Sequence, residues 1–372
     1  MSQGSLKVID LFAGVGGISL GAARAGFTIS AAVELDKHAV QYHGINFPNC
    51  KHLTEDIAAL TGQRLLELSG VRRNQLTGLV GGPPCQGFSS IGLRRRKDPR
   101  NQLLVHFFQL VAETRPAFFV AENVPGLIQL RNKTLLERAL SYVPSDYILL
   151  GPIICRASDY GVPTIRTRVF FIGYDPGRVG ALSTNDFLPK GVQDVRVRQA
   201  LSGLPAIRST WQSEKQSWRI VSSLSESHYE RRIKGCVPRD VGDPTALSVY
   251  QTQHLVSGFF GTAHAVDVIQ RFDALKPGES DAISKCVRLD AGGYCPTLRA
   301  GTGPERGGFQ AIRPVHPTSP RVISPREAAR LQGFPDWFQF HPTKWHAFRQ
   351  IGNSVSPIVS EALMTPIYRA MS

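Results

Sequence analysis

The chain has 372 residues, 42% hydrophobic and 19% charged, and its 43 Lys and Arg outnumber 29 Asp and Glu to give a net charge of +14. This composition excludes disorder as the main state, and the length allows one large core beside a smaller one. The most apolar run, residues 147–155, is broken by Gly151-Pro152 and falls short of the roughly 18 residues that cross a membrane. No apolar leader follows Met1, and the six cysteines form no C-x-x-C pair. A cytoplasmic chain with reduced thiols and no metal is therefore expected.

In chain order, residues 6–12 read as a short apolar strand, 13–17 as a glycine-rich turn, and 18–25 as a helix stopped by Gly26. Residues 27–34 give a second strand and 36–46 a second helix. Residues 78–81 are a short buried strand, 101–113 a helix, 116–122 a strand and 168–173 another. Strands alternating with helices predict an α/β fold with a doubly wound, mostly parallel sheet. From 176 to 320 the periodicity vanishes, which predicts a second, smaller domain of irregular strands and loops. Order returns at Ser324-Pro325-Arg326-Glu327, where a Ser cap, a first-turn Pro and a Glu three residues after the cap start a helix. A last helix over 357–371 should pack back on the first domain. The domains are then 1–175 with 321–372, and 176–320.

The basic excess is local. Residues 51–100 hold 9 basic and 4 acidic side chains, and Arg94, Arg95, Arg96, Lys97 and Arg100 supply five of the nine. Such clustering suits a phosphate-bearing partner or a merely solvated surface, and charge alone does not separate them.

Four segments carry chemistry. At the first turn Gly14 and Gly16 let backbone N–H groups approach a nucleotide, and Glu34 ends the second strand, where an acid can meet ribose hydroxyls. The spacing G-x-G-G-x-x-x-G leaves nicotinamide, flavin and S-adenosylmethionine all open. Pro83-Pro84-Cys85 follows a predicted strand, so a thiol sits on a stiff loop at the carboxyl edge of the sheet, with basic residues directly after it. The apolar strand 118–121 runs into Glu122-Asn123, placing a potential proton donor at the same edge. Arg166 and Arg168, two apart on an extended segment, face one side and suit an anion.

Pro-Pro-Cys, Glu-Asn-Val and Arg-x-Arg, in this order after a glycine-rich turn, resemble the DNA (cytosine-5) methyltransferases of bacterial type. The resemblance continues through residues 326–335 and through Gln350-Ile351-Gly352-Asn353-Ser354-Val355, in the family's unpermuted order. It implies that Phe12, Gly14, Gly16, Glu34, Asp56, Ile57, Pro84, Leu103, Asn353 and Ser354 surround S-adenosylmethionine. It further implies Cys85 as nucleophile, Glu122 as the acid on the base, and Arg166 and Arg168 as supporting cations, without a metal. Thr164 stands where the family often has Gln.

Duplex DNA is the implied partner, bound by a monomer. The loop carrying Gln86, Ser89, Arg94, Arg95, Arg96 and Lys97 would close over the flipped strand. Base reading would fall to 176–320 through Arg231, Arg232, Lys234 and the Thr297-Leu298-Arg299 element. A role in restriction-modification or phage defence is implied. A tRNA cytosine-5 methyltransferase of the same fold and a catalytically silent DNA-binding regulator are the alternatives.

Overall fold

In the computed structural model, which describes residues 5–84, 102–221, 227–300 and 313–371, the alternating part of the chain forms one seven-stranded sheet. β1 (Lys7–Leu11) pairs in parallel with β2 (Thr28–Val33) on one side and β4 (Leu76–Gly81) on the other. β3 (Lys51–Leu53) extends the sheet past β2, and β5 (Phe118–Asn123) extends it past β4, again in parallel. β6 (Ile148–Arg156) and β7 (Thr167–Tyr174) complete the order β3-β2-β1-β4-β5-β7-β6, with β7 antiparallel to both its neighbours. This single reversal matters for the site. It brings the start of β7 to the edge where the parallel strands end.

Period-two alternation divides the strand side chains between two cores. Val8, Val80, Phe118 and Val120 face a core shared with α1 (Gly17–Ala25) and α12 (Pro357–Ala370). Ile9, Leu11, Leu79, Phe119 and Ala121 face the opposite core, with α3 (Gly62–Ser69) and α4 (Gln102–Thr114). Because both faces are covered, β4 is buried along its whole length, as a central parallel strand should be. The expected last helix does return to the first, and Ser360 Oγ donates to the Ile18 carbonyl at 3.0 Å.

The sequence pattern overlooked β3, α3, β6, α5 (Lys133–Leu140) and α11 (Lys344–Asn353). β3 is three residues long, and β6 is an edge strand with six of nine residues exposed, so neither shows a buried pattern. Residues 176–320 also differ from the expected strands and loops. Among the described residues they hold only the two-stranded ribbon β8 (Arg219–Ile220) with β9 (Leu255–Val256). Short helices dominate instead: α6 (Val197–Leu201), α7 (His228–Lys234), α8 (Pro244–Gln253) and α9 (Val266–Ala274). Two of them start at local caps, where Ser227 Oγ accepts from Glu230 N and Asp243 Oδ1 accepts from Ala246 N. At five to ten residues these helices are too short for a 3.6-residue period to stand out.

The first core continues into this region through Phe187, Val197, Tyr229, Ile233, Leu289 and Leu298. The helix signalled by Ser324 forms as α10 (Pro325–Leu331), with Glu327 N donating to Ser324 Oγ at 3.3 Å and Ser324 N to Glu327 Oε2 at 2.7 Å. Its Arg330 is buried, pairs with Asp336 at 2.6 Å, and lies 3.7 Å from Glu230 of α7. A buried guanidinium needs such partners, and here they staple the two regions together.

Candidate active site

Four chain segments converge at one sheet edge. β1 leaves the sheet through Phe12, at φ 59°, and Gly14 and Gly16 follow at φ 57° and 102°, so alternate residues of the turn lie in the left-handed region. Glu34, at the end of β2, fastens the turn. Its carboxylate accepts from Gly14 N at 2.9 Å, from Leu35 N at 2.8 Å and from Asp36 N at 2.9 Å. A Cβ on Gly16 would strike the Phe47 ring, whereas one on Gly14 would meet open space. Gly16 therefore serves packing and the start of α1, and Gly14 is the open one.

Behind the turn lies a polar row through the core. Asp10, Ala32 and His52 are in register across β1, β2 and β3. The small Ala32 leaves room above it for Ser19 of α1 and for His43 of α2 (Lys37–Asn46). Ser19 Oγ lies 2.6 Å from Asp10 Oδ2 and 3.0 Å from His43 Nε2, and His43 Nδ1 lies 2.8 Å from His52 Nε2. Burial pushes the Asp10 carboxyl up to about 7, against the lowering effect of Ser19. Burial likewise drives His43 well below its ordinary range.

At the end of β5, Glu122 forms a charge-assisted bond with Arg168, 2.6 Å from Oε1 to Nε, and both side chains are largely buried. The antiparallel register sets Glu122 opposite Phe170 and Asn123 opposite Val169, so the first residues of β7 reach Glu122 directly. Asn123 Nδ2 donates to the Pro83 carbonyl at 3.3 Å, tying the Pro-Pro loop to the strand that carries Glu122. Cys85 lies outside the described residues. Arg166 is 4% exposed and donates to the carbonyls of Leu298, Gly352 and Asn353. Its Nε and the Thr164 hydroxyl have no hydrogen-bond partner among the described residues.

These segments surround a cavity of about 420 Å³, within the roughly 300–1,000 Å³ of small-molecule sites. Phe12, Gly14, Glu34, Pro84, Glu122, Arg166, Arg168, Asn353 and Ser354 line it. Gly16, Asp56, Ile57 and Leu103 do not: Asp56 caps a short turn by accepting from Ala58 N at 3.0 Å, Ile57 is buried, and Leu103 sits half-buried on α4. The lining also includes Ile18, Asp36, His38, Val124, His346 and Arg349, which sequence reasoning missed. Asp36 and His38 could have been found, since they directly follow Glu34. His346 and Arg349 come from α11, which gave no local signal. Apolar walls, an open glycine turn with the acids Glu34 and Asp36, and Asn353 with Ser354 in the same lining suit an adenosyl amino acid in size and polarity.

A larger cavity, about 550 Å³, is lined by Tyr42, Trp218, Phe260 and Phe340 among others, and none of the expected site residues lines it. Among the described residues two clusters have metal-ligating side chains, His38 with His341 and His346, and His43 with Cys50 and His52. The lack of a C-x-x-C pair could not reveal either, because their members come from separate elements. Both are already hydrogen-bonded: His43 to His52 as above, and His341 Nδ1 to Thr343 N at 3.1 Å.

Of the residues expected on DNA, Gln86, Ser89, Arg94, Arg95, Arg96 and Lys97 lie outside the described residues. Arg232 pairs with Glu361 of α12 at 2.8 Å, and Arg24 holds the Ile233 carbonyl at 2.7 Å, so the α7 basic cluster is anchored to the large core. Leu298 is 2% exposed, Thr297 is half-buried and Arg299 is exposed.

The profile of the C-5 cytosine-specific DNA methylases matches residues 6–369. The chain is 39% identical to the Type II methyltransferase M.XorII of Xanthomonas oryzae pv. oryzae, over 98% of this chain and 84% of that protein. It is 34% identical to the Type II methyltransferase M.DdeI of Desulfomicrobium norvegicum, covering 96% and 87%. Among solved structures it resembles a DNA modification methyltransferase encoded within an E. coli prophage, with TM-score 0.88, 47% identity, and coverage of 98% and 99%. The Dnmt2 methyltransferase of S. pombe shares the fold at TM-score 0.61 and 19% identity.

Proposed function

The chain belongs to the C-5 cytosine-specific DNA methylases, a family of S-adenosylmethionine-dependent enzymes, and from that premise we propose how its residues divide the work. The observation that carries the proposal is the Glu122–Arg168 pair on the wall of the cavity that also contains the glycine turn and Asn353-Ser354.

Carbon 5 of cytosine is too electron-poor to take a methyl group unaided. Addition of the Cys85 thiolate to carbon 6 makes carbon 5 nucleophilic. Negative charge then builds on the ring. Glu122, having taken up a proton from solvent, donates it to N3, and Arg168, held against Glu122, supports the ring oxygen. S-adenosylmethionine, when bound, supplies the electrophilic methyl group. Phe12, Gly14, Glu34, Pro84, Asn353 and Ser354 hold it in the cavity. A solvent base then takes the carbon-5 proton, Cys85 leaves as the thiolate, and N3 returns its proton to Glu122.

Duplex DNA hides these atoms, so the cytosine must leave the stack, which costs a few kcal/mol. Phosphate contacts from the basic residues of segment 86–100 offset that cost. Region 176–320 chooses the sequence, because only major-groove edges distinguish all four base pairs. The two curated relatives described above are named Type II methyltransferases, which supports a modification role beside a restriction enzyme. The protein acts as a monomer in the cytoplasm. No helix among the described residues is long and apolar enough to cross a membrane.

Bisulfite sequencing of DNA from cells expressing the chain tests the reading. Methylcytosine at one recurring sequence is expected. Methylation confined to tRNA would favour the RNA enzyme instead.

A further inference from the structure

Arg166 and Arg168 are two residues apart, yet their surroundings differ. Arg168 faces the Glu122 carboxylate. Arg166 faces backbone: its Nη1 donates to the Gly352 carbonyl at 2.8 Å and to the Leu298 carbonyl at 3.3 Å, and its Nη2 to the Asn353 carbonyl at 3.4 Å. These carbonyls belong to two segments that meet nowhere in the sheet. One is the Thr297–Ala300 stretch of the region assigned to base reading. The other is the loop that sets Asn353 and Ser354 in the cavity wall.

Other contacts tighten the same junction. Just before Arg166, Thr164 bridges Cys295 in parallel, with Ile165 N donating to the Cys295 carbonyl at 3.1 Å and Cys295 N to the Pro163 carbonyl at 2.8 Å. Backbone meets backbone at Gly352, where a Cβ would lie 2.7 Å from Ala300 N and 2.9 Å from the Arg299 carbonyl carbon. On the far side, Gln332 Nε2 holds the Ser354 carbonyl at 2.8 Å. Irregular segments leave carbonyls without ladder partners, and burial makes such orphans costly. A planar guanidinium with five donors can serve several at once, whereas the single nitrogen of lysine cannot reproduce the fork.

We infer that Arg166 is a positioning residue that locks the recognition segment Thr297–Ala300 to the cofactor loop Gly352–Ser354, and that the cation facing the base is Arg168. The lock fixes Leu298 from behind and leaves Arg299 exposed beside it. Recognition segment and cofactor wall then move as one body, so the seating of the cofactor and the reading of DNA share a support. This inference rests on the reading of the cavity as the cofactor site.

The test compares Arg166→Lys, Gly352→Ala and Arg168→Lys with wild type. S-adenosylhomocysteine affinity without DNA is measured by calorimetry, together with kcat, KM for DNA and the ratio of target to non-target methylation. Thermal melts confirm folding. Arg166→Lys should weaken S-adenosylhomocysteine binding by about tenfold or more and lower target discrimination. Gly352→Ala, which removes no charge and no donor, should reproduce both defects and carries the test alone if the lysine variant does not fold. Arg168→Lys should lose kcat while keeping cofactor affinity and discrimination. The inference is overturned if Arg166→Lys loses kcat alone, as Arg168→Lys does, or if Gly352→Ala leaves affinity and discrimination unchanged. Failure of the wild-type protein to bind S-adenosylhomocysteine would instead overturn the cofactor reading itself.

Discussion

The sheet edge that holds Glu122 and the region between residues 176 and 320 secure their side chains by different means. Along β5, Phe118, Phe119, Val120 and Ala121 are all at most 2% exposed, with a core on each face. In the other region, satellite clusters such as Val221 with Val256 and Phe259, or Phe272 and Val315 with Val322 just beyond its boundary, contain three buried residues each among those described. Bond making needs groups placed to a fraction of an ångström, which dense packing on strands supplies. Sequence reading needs surfaces that can vary, which short helices and loops on small cores permit. Under the proposed function the two demands fall on different parts of one chain, joined at α10 and at Arg166.

The sharpest way to break this division is at the reacting groups. Cys85→Ser should bind DNA and S-adenosylhomocysteine but transfer no methyl groups, and DNA carrying 5-fluorocytosine should trap wild type covalently through Cys85. Methylation by wild type without that adduct would remove the thiolate from the mechanism. Glu122→Gln should lose on the order of 10²-fold or more in turnover, with cofactor affinity retained, in single-turnover assays. Near-normal rates would show that no proton passes from this side chain.

Exchanging residues 176–320 for the equivalent region of a related enzyme tests the other side. The chimera should adopt the donor's target sequence and keep its cofactor affinity, as read by methylation mapping and calorimetry. An active chimera that still modifies the original site would place recognition elsewhere. Stability should follow the same division. Phe119→Ala removes a buried side chain between β5 and α4 and should cost about 3–5 kcal/mol in denaturant unfolding. Phe272→Ala should cost less and spare S-adenosylhomocysteine binding.

The smallest effect concerns pH. Asp10, with its folded pKa raised from 3.8 to about 7, keeps its proton in the folded state where the unfolded chain has released it. Its contribution to stability is therefore greatest below the unfolded pKa and declines as pH rises toward 7. Between pH 5 and pH 8 wild type should lose on the order of 2–3 kcal/mol relative to Asp10→Asn. Parallel unfolding curves for the two proteins across this range would refute the shift.

The sequence by itself determined the elements with strong local signals and several of the residues that gather at the cavity. Period-two and helical patterns marked β1, β2, β4, β5 and the helices beside them, and Ser324 with Glu327 announced α10 correctly. Glu122, Arg168, Gly14 and Glu34 were legible because each sits at a strand end or tight turn, where local pattern predicts position. The tertiary structure alone decided the rest. The reversed direction of β7 arises from pairing with β5 and β6, and no residue within it encodes that choice. Gly16 could be recognised as a packing residue only once Phe47 lay against it. Arg166, two residues from Arg168 and chemically identical to it, was given different partners by carbonyls 132 to 187 residues further along the chain. A side chain's chemistry is fixed by covalent structure, but its partners are fixed by chain closure, which local sequence does not contain.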